Sequence, residues 1–271
     1  MKFTVPNFSV EAIAESGQCF RWLKKSSGEF RIVAFGRVLR IRQDPATGEV
    51  WTDAERDEFY NVWSDYFDIK TDYGKIIDSI PEDDAYLKEA AVCGRGIRIL
   101  RQDSWETLIS FIISQRKNIP AIRLAVERLA EAAGHIIGRD EGKPVYSFPS
   151  LREISKLSLE DLLNCGLGYR AKYIYETARR FGENGWPDKE YAKMDDAALE
   201  KALCGIYGVG PKIALCTMLF GFHRLNAFPM DVWMHKVEER RYPNGIPAEK
   251  YAPWAGVMQQ YMFAYEREHG Q

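Results

Sequence analysis

Hydrophobic and polar positions follow two different patterns along the chain, and the change falls near Asp53. Before that residue, segments 30–35 and 38–42 show partial alternation of apolar and polar side chains. Such alternation is typical of strands, because successive strand residues face opposite sides. Gly36 and segment 44–48 separate the apolar runs and predict turns. The first part of the chain therefore predicts an antiparallel sheet made of hairpins.

After Asp53 we expect helices through to the end of the chain. Apolar spacing and capping residues predict them over residues 53–66, 71–79, 83–92, 105–116, 119–133, 151–157, 158–164, 169–181, 195–203, 213–222, 232–241 and 253–269. Asp103 begins one helix in a sequence that resembles a capping box. Asn118 and Pro120 begin the next, since proline is favoured in the first helical turn.

Together the two patterns predict an α+β fold. We expect an N-terminal antiparallel β-sheet domain with flanking helices over residues 1–100, packed on a mostly α-helical domain over residues 101–271. No low-complexity linker separates the two parts, so the domains are expected to contact each other.

Composition and charge restrict the functional classes. The 271 residues carry a formal net charge of −2, which by itself weakly disfavours nucleic acid as a partner. Backbone N–H groups at glycine turns and helix N-termini bind phosphate without side-chain charge, so DNA remains open. No apolar run approaches the roughly 20 residues of a membrane span, and the N-terminus lacks a secretory hydrophobic segment. We therefore expect a cytoplasmic protein that does not bind a membrane.

The cysteines and histidines show no metal-binding pattern. The five cysteines are scattered without a Cys-x-x-Cys pair, which favours reduced thiols and argues against a structural zinc or an iron–sulfur cluster. The four histidines also lack metal-ligand spacing. The side-chain spacing predicts no metal site and the sequence implies no redox or organic cofactor, while a cation held by the backbone carbonyls of a glycine hairpin stays open.

The segment from residue 203 to residue 236 carries the most informative chemistry. Gly208-Val209-Gly210 and Pro211 predict a turn followed by a helix, and a second break leads to Asp231 at the start of another helix. Asp231 is a preferred N-cap residue. Lys212 is unusual, because a helix N-terminus disfavours a cation. Weak hydration and the helix N-terminus both favour the neutral amine, the form that acts as a nucleophile.

These residues carry a resemblance to a known family. Gly-Val-Gly-Pro-Lys at 208–212, followed by Phe-Pro-Met-Asp at 228–231, resembles the helix-hairpin-helix–GPD superfamily of DNA glycosylases. Lys212, together with Ser-Gly-Gln-Cys-Phe-Arg-Trp at 16–22, looks like the 8-oxoguanine DNA glycosylases of that superfamily. The resemblance covers nearly the whole chain and implies a mostly helical glycosylase body behind the sheet.

The resemblance implies roles for Lys212 and Asp231. The lysine attacks the sugar C1′, displaces the damaged base and forms a Schiff base, after which β-elimination cleaves the strand. The aspartate stabilises the positive charge that develops on the sugar. The implied partner is double-stranded DNA containing 8-oxoguanine, and we expect a monomer, associated with the nucleoid if the source is prokaryotic.

The lesion-base pocket is also implied by the resemblance. 8-Oxoguanine carries an N7–H that guanine lacks, and the backbone carbonyl of Gly17 matches the acceptor that recognises it. Gln259 matches the residue that contacts the Watson–Crick edge, while Phe263 and Cys216 match the two faces that sandwich the flipped base. Ordinary interpretations stay open: a turn for Gly17, a solvated helix position for Gln259, and core positions for Phe263 and Cys216.

The DNA-contacting residues match the family less completely. The hairpin residues Gly208, Val209 and Gly210 are expected to bind phosphate, although a plain helix–helix turn remains the alternative and Gly166-Leu167-Gly168 forms a second such turn. The other expected DNA-binding residues are Arg116, Lys117, Asn118, Tyr169 and Arg170.

Four positions of that surface depart from the family. Arg116 and Lys117 stand where the family commonly has asparagines, and Ala121 stands where it commonly has an arginine that helps select cytosine opposite the lesion. Loss of that guanidinium predicts a relaxed preference for the opposite base. Trp233 also replaces a histidine found in some members, which puts one phosphate contact in doubt.

Two alternatives are weighed against this interpretation. A glycosylase for alkylated purines or oxidised pyrimidines would keep the fold, but the alkylpurine branch usually works without a catalytic lysine, so Lys212 argues against it. A non-enzymatic helix-hairpin-helix module would bind DNA only. Such a module needs the glycine hairpin, but DNA binding alone does not require Lys212, Asp231 and the Ser-Gly-Gln segment together.

Overall fold

A computed structural model describes residues 1–182 and 184–270 of the chain. The chain divides into two compact units whose segments alternate along the sequence. The first unit contains Met1–Cys19, Ile41–Arg101 and the segment that begins at His223. The second unit contains Phe20–Arg40 and Gln102–Phe222.

The predicted antiparallel sheet is confirmed. It has five strands in the order β1-β5-β4-β3-β2. The strands are β1 (Lys2–Phe3), β2 (Trp22–Lys24), β3 (Phe30–Ala34), β4 (Arg37–Gln43) and β5 (Val50–Thr52). Lys24 lies opposite Phe30 and Ile41 lies opposite Thr52. Gly36 links β3 to β4 at φ +68°, a backbone conformation that glycine adopts without steric strain.

Helices make up most of the remaining structure. They are α1 (Val10–Glu15), α2 (Arg56–Glu58), α3 (Ser64–Tyr66), α4 (Tyr73–Asp78), α5 (Ala85–Cys93), α6 (Ser104–Ser114), α7 (Ile119–Ala133), α8 (Leu151–Ile154), α9 (Leu159–Asn164), α10 (Arg170–Phe181), α11 (Asp188–Tyr191), α12 (Asp196–Cys204), α13 (Pro211–Gly221), α14 (Val232–Arg241) and α15 (Ala255–His269). A π-helical turn, Phe59–Trp63, joins α2 to α3, and a 3₁₀ turn, Ala248–Tyr251, precedes α15. No helix in the described part of the chain combines the length and the apolar character that a bilayer crossing requires.

Two local predictions were wrong. Residues 10–15 lie in the stretch predicted as β, yet they form α1, because Ser9 caps the helix and Val10, Ile13 and Ala14 bury one helical face. The second error lies after Asp53, where helices were expected throughout. There β6 (Ile136–Asp140) and β7 (Lys143–Tyr146) pair as an antiparallel hairpin. Gly142 turns that hairpin at φ +79°, which a helix cannot accommodate.

The capping signals around α6 and α7 are confirmed. The Asp103 side chain accepts a hydrogen bond of 2.8 Å from the Glu106 backbone N–H, and the Asn118 side chain accepts one of 2.9 Å from that of Ala121. Helix α6 is buried along most of its length, as its apolar pattern predicted. Both helix starts therefore follow from local sequence.

The first unit contains a buried carboxylate, Asp68, that is 2% exposed. It accepts hydrogen bonds from Thr71 (2.9 Å), Tyr73 (3.1 Å) and Arg101 (3.0 Å), and His223 Nε2 lies 3.3 Å from Oδ2. Burial acts to raise the pKa of Asp68, but the contacts with His223, Thr71 and Arg101 outweigh it, so the pKa lies below its usual value. The charged carboxylate thus holds three segments of this unit together.

We expect Asp68→Asn to lower the free energy of unfolding by about 2 kcal/mol at neutral pH, because it removes the charged acceptor of the hydrogen bonds from Thr71, Tyr73 and Arg101. Because the pKa of Asp68 is lower in the folded than in the unfolded state, its charge stabilises the fold fully at pH values above the unfolded-state pKa of about 3.9. That stabilisation is lost as the pH falls through the folded-state pKa. The difference between the two proteins should therefore shrink in acid. Urea unfolding at neutral pH and near about pH 2.5 measures it. Asp65→Asn, at an exposed carboxylate that pairs with Lys70, is the control. An equal Asp68→Asn difference at both pH values would contradict the prediction.

Candidate active site

A glycine hairpin leads into α13, as the sequence predicted. Gly208 has φ +83°, and a Cβ atom on it would lie 2.3 Å from Cγ of the Tyr173 ring. The Gly208 carbonyl accepts a hydrogen bond of 3.1 Å from Gln115 Nε2. Only glycine meets both the backbone and the packing requirement here, so Gly208 has a structural role whatever the hairpin binds. Val209 is buried beside it.

Gly210 differs from Gly208. It is the N-cap of α13 and makes no side-chain capping bond. A Cβ atom on Gly210 would meet nothing within 4 Å, so neither packing nor φ requires glycine at this position. The start of α13 therefore presents backbone to an open space, which is the arrangement that lets a ligand approach helix N–H groups closely.

Lys212 lies in the first turn of α13 and is half-buried. Its Nζ is 5.0 Å from the centroid of the Phe111 ring on α6. Phe111 in turn stacks on Phe220 and contacts the edge of Phe20, each at a centroid distance of 5.5 Å. The amine thus rests on an aromatic cluster, where attraction to the ring face orients the side chain.

Cys216 lies four residues after Lys212 on α13, and it is 3% exposed. Residues at that spacing occupy the same face of a helix. The structure therefore brings the predicted nucleophile and one predicted pocket residue together on α13.

Asp231 caps α14, which confirms its predicted local role. Its Oδ1 accepts hydrogen bonds of 2.9 Å from the backbone N–H groups of both Trp233 and Met234. The carboxylate is half-buried and fixed in direction by these bonds. Asp231 belongs to the first unit and Lys212 to the second, so their convergence on one deoxyribose stays a prediction.

The predicted pocket residues Gly17, Gln259 and Phe263 all lie in the first unit. Gly17 turns the chain at φ +77°. Gln259 is 2% exposed, which excludes the solvated position that was its ordinary interpretation, and its Oε1 accepts a bond of 2.9 Å from Gln260. Phe263 is half-buried on the same face of α15.

Gln18 holds the Gly17 turn in place, and the sequence argument gave it no role. Its Nε2 donates to the Ser16 hydroxyl (2.8 Å) and to the Arg98 carbonyl (2.9 Å), while its Oε1 accepts from the Leu100 N–H (2.8 Å). A buried glutamine with both ends of its amide bonded fixes the backbone on either side. Its place inside the Ser-Gly-Gln segment was the available signal.

Arg116, Lys117 and Asn118 follow directly after α6. Arg116 is exposed and has φ +51°, which is uncommon outside glycine and asparagine. Lys117 donates a bond of 3.2 Å to the Gly166 carbonyl, and the Asn118 side chain caps α7. The loop is therefore anchored on both sides of Arg116.

Tyr169 and Arg170 lie at the second glycine turn. Tyr169 is 50% exposed, whereas Arg170 is 6% exposed. The Arg170 guanidinium lies 4.4 Å from the Tyr169 ring centroid and donates to the carbonyls of Leu167 (3.3 Å) and Gln115. It connects two loops of the second unit, and a direct contact between Arg170 and DNA stays a prediction.

A surface cavity of about 930 Å³ lies beside the hairpin, and the sequence did not indicate it. Besides the hairpin residues 205–210, its lining residues are Lys172, Glu176, Thr177, Arg180 and Cys204. Tyr173 and Tyr207 meet edge to face at 5.1 Å. The recurrence of tyrosine and basic residues along α10 is a signal that could have indicated this surface.

Comparison with known proteins identifies the family. The 8-oxoguanine DNA glycosylase N-terminal domain matches residues 1–108, and the HhH-GPD superfamily base excision DNA repair protein matches residues 109–250. An N-glycosylase/DNA lyase of Saccharomyces cerevisiae is 33% identical over 258 residues, which are 85% of this chain and 67% of the yeast protein. A probable N-glycosylase/DNA lyase of Methanothermobacter thermautotrophicus is 27% identical over 100% of this chain and 97% of its own length.

Solved structures agree with this assignment. The Clostridium acetobutylicum 8-oxoguanine glycosylase/lyase, bound to double-stranded DNA containing cytosine opposite 8-oxoguanine, superposes with a TM-score of 0.92 at 35% identity, covering 98% of this chain and 94% of that one. A 3-methyladenine DNA glycosylase from Archaeoglobus fulgidus, at 20% identity and a TM-score of 0.74 over 99% of this chain and 98% of its own, shares the fold. This chain belongs to the HhH-GPD superfamily of base excision DNA repair proteins and carries the N-terminal domain of its 8-oxoguanine DNA glycosylases.

Proposed function

We infer that this chain is a bifunctional DNA glycosylase, which excises 8-oxoguanine from double-stranded DNA and then cleaves the abasic strand as a lyase. The observation that carries this conclusion is Lys212 itself. A lysine in the first turn after the glycine hairpin, resting on Phe111, supplies the primary amine that a lyase requires.

In the reaction we propose, the unprotonated Lys212 Nζ attacks C1′ of the damaged nucleotide. The N-glycosidic bond breaks, its electron pair leaves with the base, and the base takes up a proton. The amine loses one proton, and its lone pair forms the C=N bond as the C1′–O4′ bond breaks and O4′ takes up a proton, which leaves an iminium at C1′. Loss of a proton from C2′ then expels the 3′-phosphate, and the strand is cut by β-elimination.

Asp231 is the proposed electrostatic partner of this step. Bond cleavage develops positive charge on the sugar, and a carboxylate held in direction by two backbone N–H groups stabilises that charge without reorganising. Capping of α14 and catalysis are compatible, because one oxygen of the carboxylate makes both capping bonds.

We propose that the flipped base is recognised by the predicted pocket residues. The Gly17 carbonyl accepts the N7–H that distinguishes 8-oxoguanine from guanine, and the Gln18 hydrogen bonds hold that carbonyl in place. Gln259 bonds the Watson–Crick edge, while Phe263 and Cys216 enclose the two faces of the ring.

The DNA backbone is proposed to bind at the hairpin Gly208–Gly210 and the start of α13, with further contacts from Arg116, Lys117, Asn118, Tyr169 and Arg170. Open space at Gly210 supports the phosphate contact.

One flipped base needs one chain, so we propose a monomer that acts in the cytoplasm, at the nucleoid in a prokaryote. We also propose the division into domains 1–100 and 101–271, which the family matches to residues 1–108 and 109–250 support.

The nucleophile is tested with Lys212→Gln. We expect wild-type protein to form a covalent adduct with 8-oxoguanine-containing duplex when borohydride reduces the iminium, and the variant to form none, because a carboxamide cannot make a Schiff base. Gel shift of labelled DNA measures the adduct. Lys201→Gln, at an exposed lysine of α12, is the control and should trap normally. An adduct retained in Lys212→Gln would refute Lys212 as the nucleophile. Release of 3-methyladenine in place of 8-oxoguanine would refute 8-oxoguanine as the substrate.

The hairpin is tested with two glycine substitutions that have opposite consequences. Gly208→Ala should lower the free energy of unfolding by at least about 2 kcal/mol, through its positive φ and the overlap with Tyr173. Gly210→Ala should change it by about 1 kcal/mol or less, yet weaken DNA binding by about tenfold, because its methyl group fills the space that a phosphate would occupy. Denaturant unfolding and titration with duplex carrying an abasic-site analogue measure the two effects. Unchanged DNA affinity in Gly210→Ala would refute the phosphate contact.

Opposite-base preference is tested at Ala121, a half-buried residue in the first turn of α7. Wild-type protein is expected to excise 8-oxoguanine with little regard to the base opposite. Ala121→Arg should raise the preference for cytosine about tenfold or more, because a guanidinium restores a bidentate base contact. Excision rates against all four opposite bases measure this, with Ala121→Gln as a control of similar length without charge. A steep cytosine preference in the wild-type protein would contradict the prediction.

A further inference from the structure

Three potential metal ligands meet at the ends of two helices in the first unit. Cys93 is the last residue of α5, and Glu268 and His269 are the last two residues before the cap of α15. One ligand atom from each lies within 4.8 Å of the others. Cys93 Sγ donates a hydrogen bond of 3.0 Å to Glu268 Oε2. Their distance apart in the sequence explains why ligand spacing did not predict a metal site.

The packing of α5 on α15 sets this arrangement. Gly94 follows Cys93, and a Cβ atom on it would lie 2.6 Å from Tyr261 Cδ1 and 3.1 Å from Tyr261 Cα. Glycine is therefore needed for the two helices to approach this closely. Glu268 lies seven residues after Tyr261, two turns along the same face of α15, so the contact at Gly94 brings Cys93 to Glu268.

His269 is oriented as a metal-binding histidine usually is. Its Nδ1 lies 3.1 Å from the Tyr265 carbonyl oxygen. Because a carbonyl only accepts, Nδ1 carries the hydrogen and Nε2 keeps the lone pair that binds a metal. The imidazole stacks on the Tyr265 ring at 4.5 Å, and the Tyr265 hydroxyl donates to Glu89 of α5 at 3.4 Å. Ring stacking and a carbonyl bond together fix the tautomer and the ring direction.

The local charge also favours a cation. Both α5 and α15 end here, and each helix C-terminus carries partial negative charge. Thiolate, imidazole and carboxylate are the ligand types of zinc, which binds them at about 2.0–2.3 Å, so ligand atoms in a tetrahedral site lie about 3.3–3.8 Å apart. The three ligand atoms lie within 4.8 Å of one another, so binding requires a side-chain rotation, which the exposed Glu268 can make.

We propose that Cys93, Glu268 and His269 bind one zinc ion, with water in the fourth position. Binding breaks the Cys93 S–H bond, the sulfur keeps the electron pair and becomes the metal-bound thiolate, and the proton passes to solvent. The ion joins the end of α15 to the end of α5. Since α15 also carries Gln259 and Phe263, zinc would stabilise the helix from which the lesion-base pocket is proposed to be built.

The test uses the full chain after treatment with a chelator and removal of the chelator. Calorimetric titration with zinc chloride should give one site per chain, and a hundredfold excess of zinc over its Kd should raise the thermal midpoint by about 5–10 °C. Cobalt(II) should produce a thiolate-to-metal charge-transfer band, which reports directly on Cys93. This readout does not depend on excision activity, so failure of the zinc site and failure of the proposed function are separable.

Matched variants locate the ion. Cys93→Ser and His269→Ala should each weaken zinc binding by at least about tenfold and abolish or shift the cobalt band. Cys204→Ser and His235→Ala, at a half-buried thiol and an exposed imidazole elsewhere, should bind zinc as the wild type does. Absence of zinc binding to the wild type overturns the proposal, as does equal binding by all variants or a cobalt spectrum without a thiolate band. Circular dichroism identifies a variant that fails to fold, and the wild-type cobalt spectrum then decides.

Discussion

The close packing of Gly208 on the Tyr173 ring is the contact on which the position of α13 in the second unit depends. A side chain at position 208 would overlap that ring, and no residue but glycine adopts its φ of +83° without strain. The contact fixes the turn that ends at Gly210, and that turn sets where α13 begins. Lys212 in the first helical turn is thereby directed onto Phe111, because the direction of a helical side chain follows from the start of its helix.

A comparable constraint operates on the helix that carries Asp231. The Asp231 side chain caps the N-terminal end of α14 by accepting from two backbone N–H groups. At the C-terminal end, Tyr242 donates a hydrogen bond of 2.8 Å to Asp84 Oδ1. Tyr251 donates to the same carboxylate at 2.5 Å, while Asp84 also caps α5 by accepting from the Leu87 N–H at 2.9 Å. With both ends bonded, α14 has little freedom to rotate, and the direction of the Asp231 carboxylate is determined by structure on either side.

Sequence reasoning succeeded where a structural feature is encoded within a few residues. The caps at Asp103, Asn118 and Asp231 and the turn at Gly208 each depend on neighbours in the chain. The segments around Lys212 and Asp231 resemble the helix-hairpin-helix–GPD superfamily, and that resemblance predicted the family. Sequence reasoning failed at the β6–β7 hairpin, because a short two-stranded ribbon has too few residues for its alternation to stand out from helical spacing.

Features formed by distant segments were beyond prediction from one sequence. Asp68 becomes a buried anion only when Arg101 and His223 fold around it. Arg170 was assigned to DNA from its match to the family, yet its burial and its bonds to backbone carbonyls depend on a loop more than fifty residues earlier in the chain. Cys93 meets Glu268 across 175 positions. Such contacts arise from tertiary packing, and local propensity contains no information about them.

The backbone at Arg116 shows how this chain replaces a family feature with a different one. A non-glycine residue at φ +51° costs on the order of 1 kcal/mol, and asparagine, which the family commonly has here, tolerates that conformation better than arginine. The strain persists because the flanking residues are fixed: Arg170 binds the Gln115 carbonyl, Lys117 binds that of Gly166, and Asn118 caps α7. The backbone at Arg116 is thus fixed by its neighbours while its side chain is exposed, and Ala121 lacks the guanidinium that the family commonly has at that position. On the proposed function, a cation at position 116 in place of position 121 keeps the charge of the surface but not the proposed contact with the opposite base, so affinity for DNA and selectivity for the opposite base would be separable properties of this loop.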